Sequence, residues 1–225
     1  MPRASKNPPA RVALSPERIA EAALQLIDDE GLERFSMRSL GARLGVEAMA
    51  IYHHFPSKGQ VLDAVMDQLL LGWHWPDAGT PLQRLRAAIH SYRGIALTHP
   101  HAFPLLVGRR YNSPGAFAAY ERLLQLFAAM GLGPADTARW FRLIGYFISG
   151  AGMADIASRE QAPDATRLRL QHAPDTLALP HVAAVAPYLK VDQLDAVFEF
   201  GLDTLLGALQ RQLEPSRAMR ASRAR

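Results

Sequence analysis

Residues 36–58, SMRSLGARLGVEAMAIYHHFPSK, set two short apolar-striped segments on either side of one glycine, Gly45. No other stretch constrains the fold as tightly. Ser36 is a helix N-cap ahead of MRSLGARLG, and a glycine at the far end supplies a left-handed stop that a residue with a Cβ resists. A second short helix, VEAMAIYHHF, follows at once, and Ser57 caps a third that begins KGQVLDAVMDQLLLGW. Leu40, Leu44, Val46 and Ile51 fall on inward positions. Gly41 is small where the second helix must cross the first closely. The spacing predicts a helix-turn-helix.

The remainder reads as helix throughout, with no period-2 alternation long enough for a sheet. RIAEAALQLIDDEG lays Ile19, Ala22, Ala23, Leu26 and Ile27 on one stripe, between Ser15 as cap, Pro16 at the first helical position and Gly31 as stop. Later helices are predicted over 81–98, 102–109, 114–130, 134–158, 181–188 and 191–213. Pro163, Pro174 and Pro180 mark a long connection before the last pair.

Composition narrows the function. There is no cysteine, which excludes disulfides, thiolate metal sites and a cysteine nucleophile. The longest near-apolar run, LIGYFISGAGMA (143–154), is too short to span a bilayer, and the N-terminus lacks the apolar stretch of a signal peptide. A cytoplasmic protein with no membrane partner is expected. The net charge is +4. From Arg211 onward five arginines stand against Glu214 alone. Removing those from totals of 25 and 21 leaves 20 basic and 20 acidic residues in 1–210. Overall charge therefore carries no argument for nucleic acid.

His53 and His54, beside Tyr52 and just before Lys58, could serve a metal, acid–base chemistry or a polyanion. Adjacent residues diverge by about 100° on a helix, which opposes a shared metal. Ile51 and Phe55 point inward, whereas Ala48, Met49, Ala50, Tyr52 and His53 form the outward face. Small residues leading into an aromatic and polar end suit a helix seated in the DNA major groove. Tyr52, His53, His54 and Lys58 can then donate to phosphates at the groove's rim. For His54, half-buried packing stays open as an alternative.

IYHHFPSKGQVLDAV, with Tyr52, His54, Phe55 and Lys58 at the matching places, resembles the signature of the TetR family of bacterial transcriptional regulators, as does SMRSLGARLGV. FEFGLDTLLGAL (198–209) and SYRGIALTHP (91–100) resemble the C-terminal domain of the tetracycline repressor. The resemblance implies an all-α fold: an N-terminal three-helix helix-turn-helix DNA-binding domain plus a larger helical ligand-binding and dimerisation domain. The corresponding division is 1–14 as a disordered basic arm, 15–60 as the DNA-binding domain, 61–213 as the larger domain and 214–225 as a basic disordered tail. It also implies double-stranded DNA with a palindromic operator, a small organic effector and a second copy of the chain as partners, with no cofactor. DNA contacts would come from Ser36, Arg38, Ala48, Met49, Ala50, Tyr52, His53, His54 and Lys58. The apolar Ala48, Met49 and Ala50 leave little hydrogen-bonded base readout, so thymine methyl contacts and DNA shape would carry more of the specificity.

A ligand cavity needs apolar walls and a few polar anchors. Candidates are Trp73, His74, Trp75, His90, Tyr92, Phe103, Arg109, Tyr111, Asn112, Trp140, Tyr146 and Met153. By the resemblance, His74 stands where the tetracycline repressor has a drug-contacting histidine, and Leu106 where it has a magnesium ligand. A hydrocarbon side chain cannot ligate Mg²⁺. An apolar or aromatic effector without a metal is therefore expected. Gly145, Ser149 and Gly152 with Phe198, Gly201 and Leu205 are the expected dimer interface of a four-helix bundle. HPH (99–101) lacks a third metal ligand and reads as surface loop. No P-loop, HExxH or GxSxG is present. The competing reading is a helical enzyme or small-molecule carrier whose helix-turn-helix is only structural.

Overall fold

The computed structural model describes residues 13–109, 113–160 and 179–223. The predicted arm (1–14) lies mostly outside them, as do Tyr111, Asn112 and most of the long connection.

The head is built by its caps. α1 (Pro16–Glu30) starts where Ser15 Oγ accepts from the Arg18 N–H at 3.3 Å, and stops at Gly31, whose φ is 87°. α2 (Met37–Leu44) opens with a reciprocal box. The Ser39 N–H donates to Ser36 Oγ, and the Ser36 N–H to Ser39 Oγ, each at 3.0 Å. Gly45 adopts φ 69° and ψ 32°, and the Val46 N–H returns to the Gly41 carbonyl at 3.0 Å, which closes a Schellman turn. A Cβ on Gly41 would lie 2.8 Å from the carbonyl oxygen of Val46, so the turn itself requires glycine there. α3 (Ala48–Tyr52) is shorter than VEAMAIYHHF promised. Pro56 pushes Phe55 out of helical geometry.

α4 (Lys58–Leu71), capped by Ser57, belongs to head and body alike. It packs along α1 on one side and against α6 (Pro104–Gly108) and α7 (Pro114–Met130) on the other. Buried Val61, Val65, Met66 and Leu69 join one continuous core running from Ile19 to Leu213. α5 (Pro81–Thr98) lies between α7 and α8 (Pro134–Glu160). α9 (Pro180–Val185) and two 3₁₀ turns lead into α10 (Leu194–Arg223). α10 passes the predicted boundary at 213 and continues through the stretch expected to be a disordered tail.

Two polar ties hold these layers. Arg93 on α5 is almost buried, with its side chain 8% exposed. It donates to Asp155 of α8 (5% exposed) at 2.7 Å and to Asp195 of α10 at 2.7 Å, and its guanidinium lies 4.3 Å from the Phe198 ring centre. HPH is not a free loop. His99 Nδ1 meets Asp28 Oδ2 at 2.7 Å, and His101 Nδ1 meets the Asp28 carbonyl at 2.8 Å, so the body grips the end of α1. Removing one partner of a buried ion pair strands the other charge, at a cost of about 3–5 kcal/mol. Arg93→Ala is therefore expected to lower unfolding stability by about that amount in urea titrations. A loss below about 1 kcal/mol would show that the pair is solvated.

Candidate nucleic-acid interface and ligand recess

The outward face of the head carries the residues expected there. Met49 is 63% and Tyr52 38% exposed, beside half-buried Ala48 and Ala50. Arg38 is exposed near the start of α2, and both His53 and His54 are exposed, which removes the packing alternative for His54. Inward, Leu40 and Ile51 are fully buried, while Phe55 packs partly buried against the core. His54 also stands within electrostatic reach of Glu17 on α1. The Glu17 carboxyl is held below the usual carboxylate value by a backbone hydrogen bond, then by Ser15, with His54 adding a smaller pull.

Two of the expected contacts have work inside the head. The Ser36 hydroxyl is occupied by its capping box. Lys58 Nζ donates to the Phe35 carbonyl at 2.6 Å and sits 5.3 Å from that ring's centre. It pins the start of α4 to the turn before α2, a role its position after Ser57 did not reveal.

The ligand candidates do not gather into one cavity. Tyr92, Phe103 and Trp140 are core residues. Tyr92 makes edge contacts with Trp73 at 5.0 Å and Phe103 at 5.5 Å, and Trp140 Nε1 donates to Gln212 at 3.0 Å. Arg109 is paired with Asp63 at 2.7 Å and ties α6 to α4. His74, Tyr146 and Met153 are exposed at separate places. Leu106 is buried. Among the described residues no group of three His, Cys, Asp or Glu is placed to hold a metal ion.

Residues not singled out form a cleft instead. Phe117, Tyr120, Leu124, Leu132 and Phe141, between α7 and α8, line an open and almost wholly apolar space of about 630 Å³. The available signal was α7 itself. Its core stripe is Ala116, Ala119, Leu123, Leu126, Phe127 and Met130, yet Phe117, Tyr120 and Leu124 add apolar surface beyond that stripe.

The expected dimer residues are mostly consumed within the chain. A Cβ on Gly152 would meet Phe103 at 2.6 Å, and one on Gly201 would meet Phe147 at 2.6 Å. Ser149 and Phe198 are buried, and Leu205 packs against the core. The exposed apolar row lies one residue away on each helix. Leu143, Tyr146 (62% exposed) and Met153 project from α8, and Val197 and Phe200 (74% exposed) from α10. The small residues let helices approach inside the protomer, which leaves their larger neighbours facing out.

Comparison with known proteins agrees with this architecture. Residues 19–65 match the profile "Bacterial regulatory proteins, tetR family", and residues 75–213 match "Tetracyclin repressor-like, C-terminal domain". An HTH-type transcriptional regulator of Saccharopolyspora erythraea is 30% identical over 75% of this chain and 72% of its own length. The class G tetracycline repressor protein of Vibrio anguillarum is 27% identical over 86% of this chain and 92% of its own. The crystal structure of a possible TetR family regulator from Streptomyces coelicolor superposes with a TM-score of 0.75 at 26% identity, covering 88% of this chain and 99% of that one. No helix among the described residues is long and apolar enough to cross a membrane. With an exposed recognition face on a glycine-turned helix pair and both domains matched, the chain belongs to the TetR family and is a DNA-binding transcriptional regulator, not an enzyme.

Proposed function

We propose that the protein is a repressor that binds a palindromic operator as a homodimer in the cytoplasm and is released by a small apolar or aromatic effector. The observation that carries this reading is the outward row of Arg38, Met49, Tyr52, His53 and His54 on a head whose other face is fully packed. Such a row has no structural use in an enzyme or carrier. The α8 and α10 row of Leu143, Tyr146, Val197 and Phe200 supports a four-helix dimer seam, which would cover apolar side chains now in water. Two heads on one dimer fit two half-sites roughly 34–36 Å apart.

The effector reading rests on the apolar cleft between α7 and α8. Its volume of about 630 Å³ suits a molecule of several fused rings. The class G relative is named a tetracycline repressor protein. By the sequence resemblance Leu106 stands where the tetracycline repressor has a magnesium ligand, so a magnesium chelate is not the expected form.

Tyr52→Ala tests the DNA role directly. Operator affinity, followed by fluorescence anisotropy, is expected to fall by about 1–3 kcal/mol with fold and oligomeric state unchanged. Unchanged affinity would contradict the role. Arg38 and Lys58 should separate by salt dependence. Arg38→Met is expected to reduce the slope of log affinity against log salt by about one unit, as for a lost phosphate contact. Lys58→Met should weaken binding with a much smaller slope change, because its ammonium holds Phe35. Phe200→Glu is expected to give monomers by sedimentation at micromolar concentration, with operator binding lost.

A further inference from the structure

A second recess lies along α7 beside the apolar cleft, and Gln125 lines both. Trp75, just beyond the end of α4, and Arg122 on α7 line two adjoining hollows of about 440 and 340 Å³. The two hollows differ in chemistry. The larger also holds Arg84 and Gln125, with Asp77 as its one carboxylate. The smaller combines apolar Leu71, Ala118 and Ala119 with polar Asp67 and Gln68.

The side chains around the larger hollow are set for an anion. Arg84 spends only its Nε–H, on the Pro76 carbonyl at 2.7 Å, which fixes the guanidinium and leaves its terminal nitrogens for a ligand. Arg122 is exposed and has no hydrogen bond or ion pair to any described residue. Around the larger hollow two guanidiniums face Asp77 alone, while Asp67, at the smaller hollow, accepts from Ser113; a guanidinium fork matches a planar carboxylate. The Trp75 indole is held by its neighbour Trp73, with ring centres 4.3 Å apart, and Trp73 is itself anchored through Nε1–H to the Ala88 carbonyl at 2.8 Å. A flat ring can stack on a surface held that firmly.

We propose that this recess is a binding site for an amphipathic aromatic carboxylate. The carboxylate lies between Arg84 and Arg122, and the ring system lies along Trp75 toward Leu71. The site adjoins the apolar cleft between α7 and α8, with Gln125 common to both, and differs from it in demanding charge. It opens beside α4, so its occupant touches the helix that carries the reading head.

Calorimetric titration of the full-length protein with naphthoate, and with naphthalenemethanol as the uncharged counterpart, tests the proposal. Naphthoate is expected to bind once per chain, and more tightly than the alcohol. Arg122→Ala should weaken naphthoate by about tenfold or more while leaving the alcohol unchanged. Trp75→Phe should weaken both ligands and remove most of the change in tryptophan emission. Because Arg122 is exposed, its variant should keep the wild-type circular dichroism and melting temperature. No binding of naphthoate, equal affinity for acid and alcohol, or naphthoate binding indifferent to Arg122→Ala would each overturn the proposal. The readout is binding and not DNA release, so the operator reading stands or falls separately.

Discussion

The packing of α4 between two domains governs the rest of the molecule. At its start Lys58 is fastened to the Phe35 carbonyl, and just past its end Trp73 is fastened to the Ala88 carbonyl. Between those points Val61, Val65, Met66 and Leu69 are buried, in a core that the head and body share without a break. A 14-residue helix is about 21 Å long, so a tilt of a few degrees at one end displaces the other by an ångström or more. The head is therefore packed onto α4 and not joined to it by a bare linker. Whatever moves the end of α4 moves the α2–α3 pair, with the Asp28 grip of His99 and His101 as a second tether.

Charge in this protein acts locally. Residues 1–210 balance, yet cations gather at particular places. Along α5, Arg86, His90 and Arg93 face Asp203, Glu199 and Asp195 of α10. That ladder fastens α10 to the body from within, while the opposite side of α10 keeps Val197 and Phe200 in water. At its inner end Arg93 also pairs with Asp155 of α8, and that pair is dry enough for its Coulomb energy to resist salt.

The head was legible in the sequence because its rules are local. Ser15, Ser36, Ser57, Gly31 and Gly45 each act within four residues of where they stand, and the structure uses all five as caps or stops. The body's surfaces were less legible because they depend on which helix face meets which neighbour. Gly152 and Gly201 read as small residues for a partner chain, but they accommodate Phe103 and Phe147 of their own. That rotation by one residue moved the exposed row to Tyr146 and Phe200. Aromatics such as Tyr92 and Trp140 read as ligand anchors, yet a large ring fills a core as readily as it lines a cavity. The cleft of Phe117 and Tyr120, and the pairing of Lys58 with Phe35, depend on contacts distant in sequence, which periodicity does not report.

The central claim is that two copies of α3 read a specific DNA sequence. The most direct measurement is a footprint of the purified protein on the DNA flanking its own gene, repeated at several stated salt concentrations. The account predicts one protected palindrome whose half-sites are centred roughly one helical turn apart or a multiple of it, with protection surviving excess unrelated DNA. Protection that follows no sequence, and that vanishes uniformly as salt rises, would contradict it.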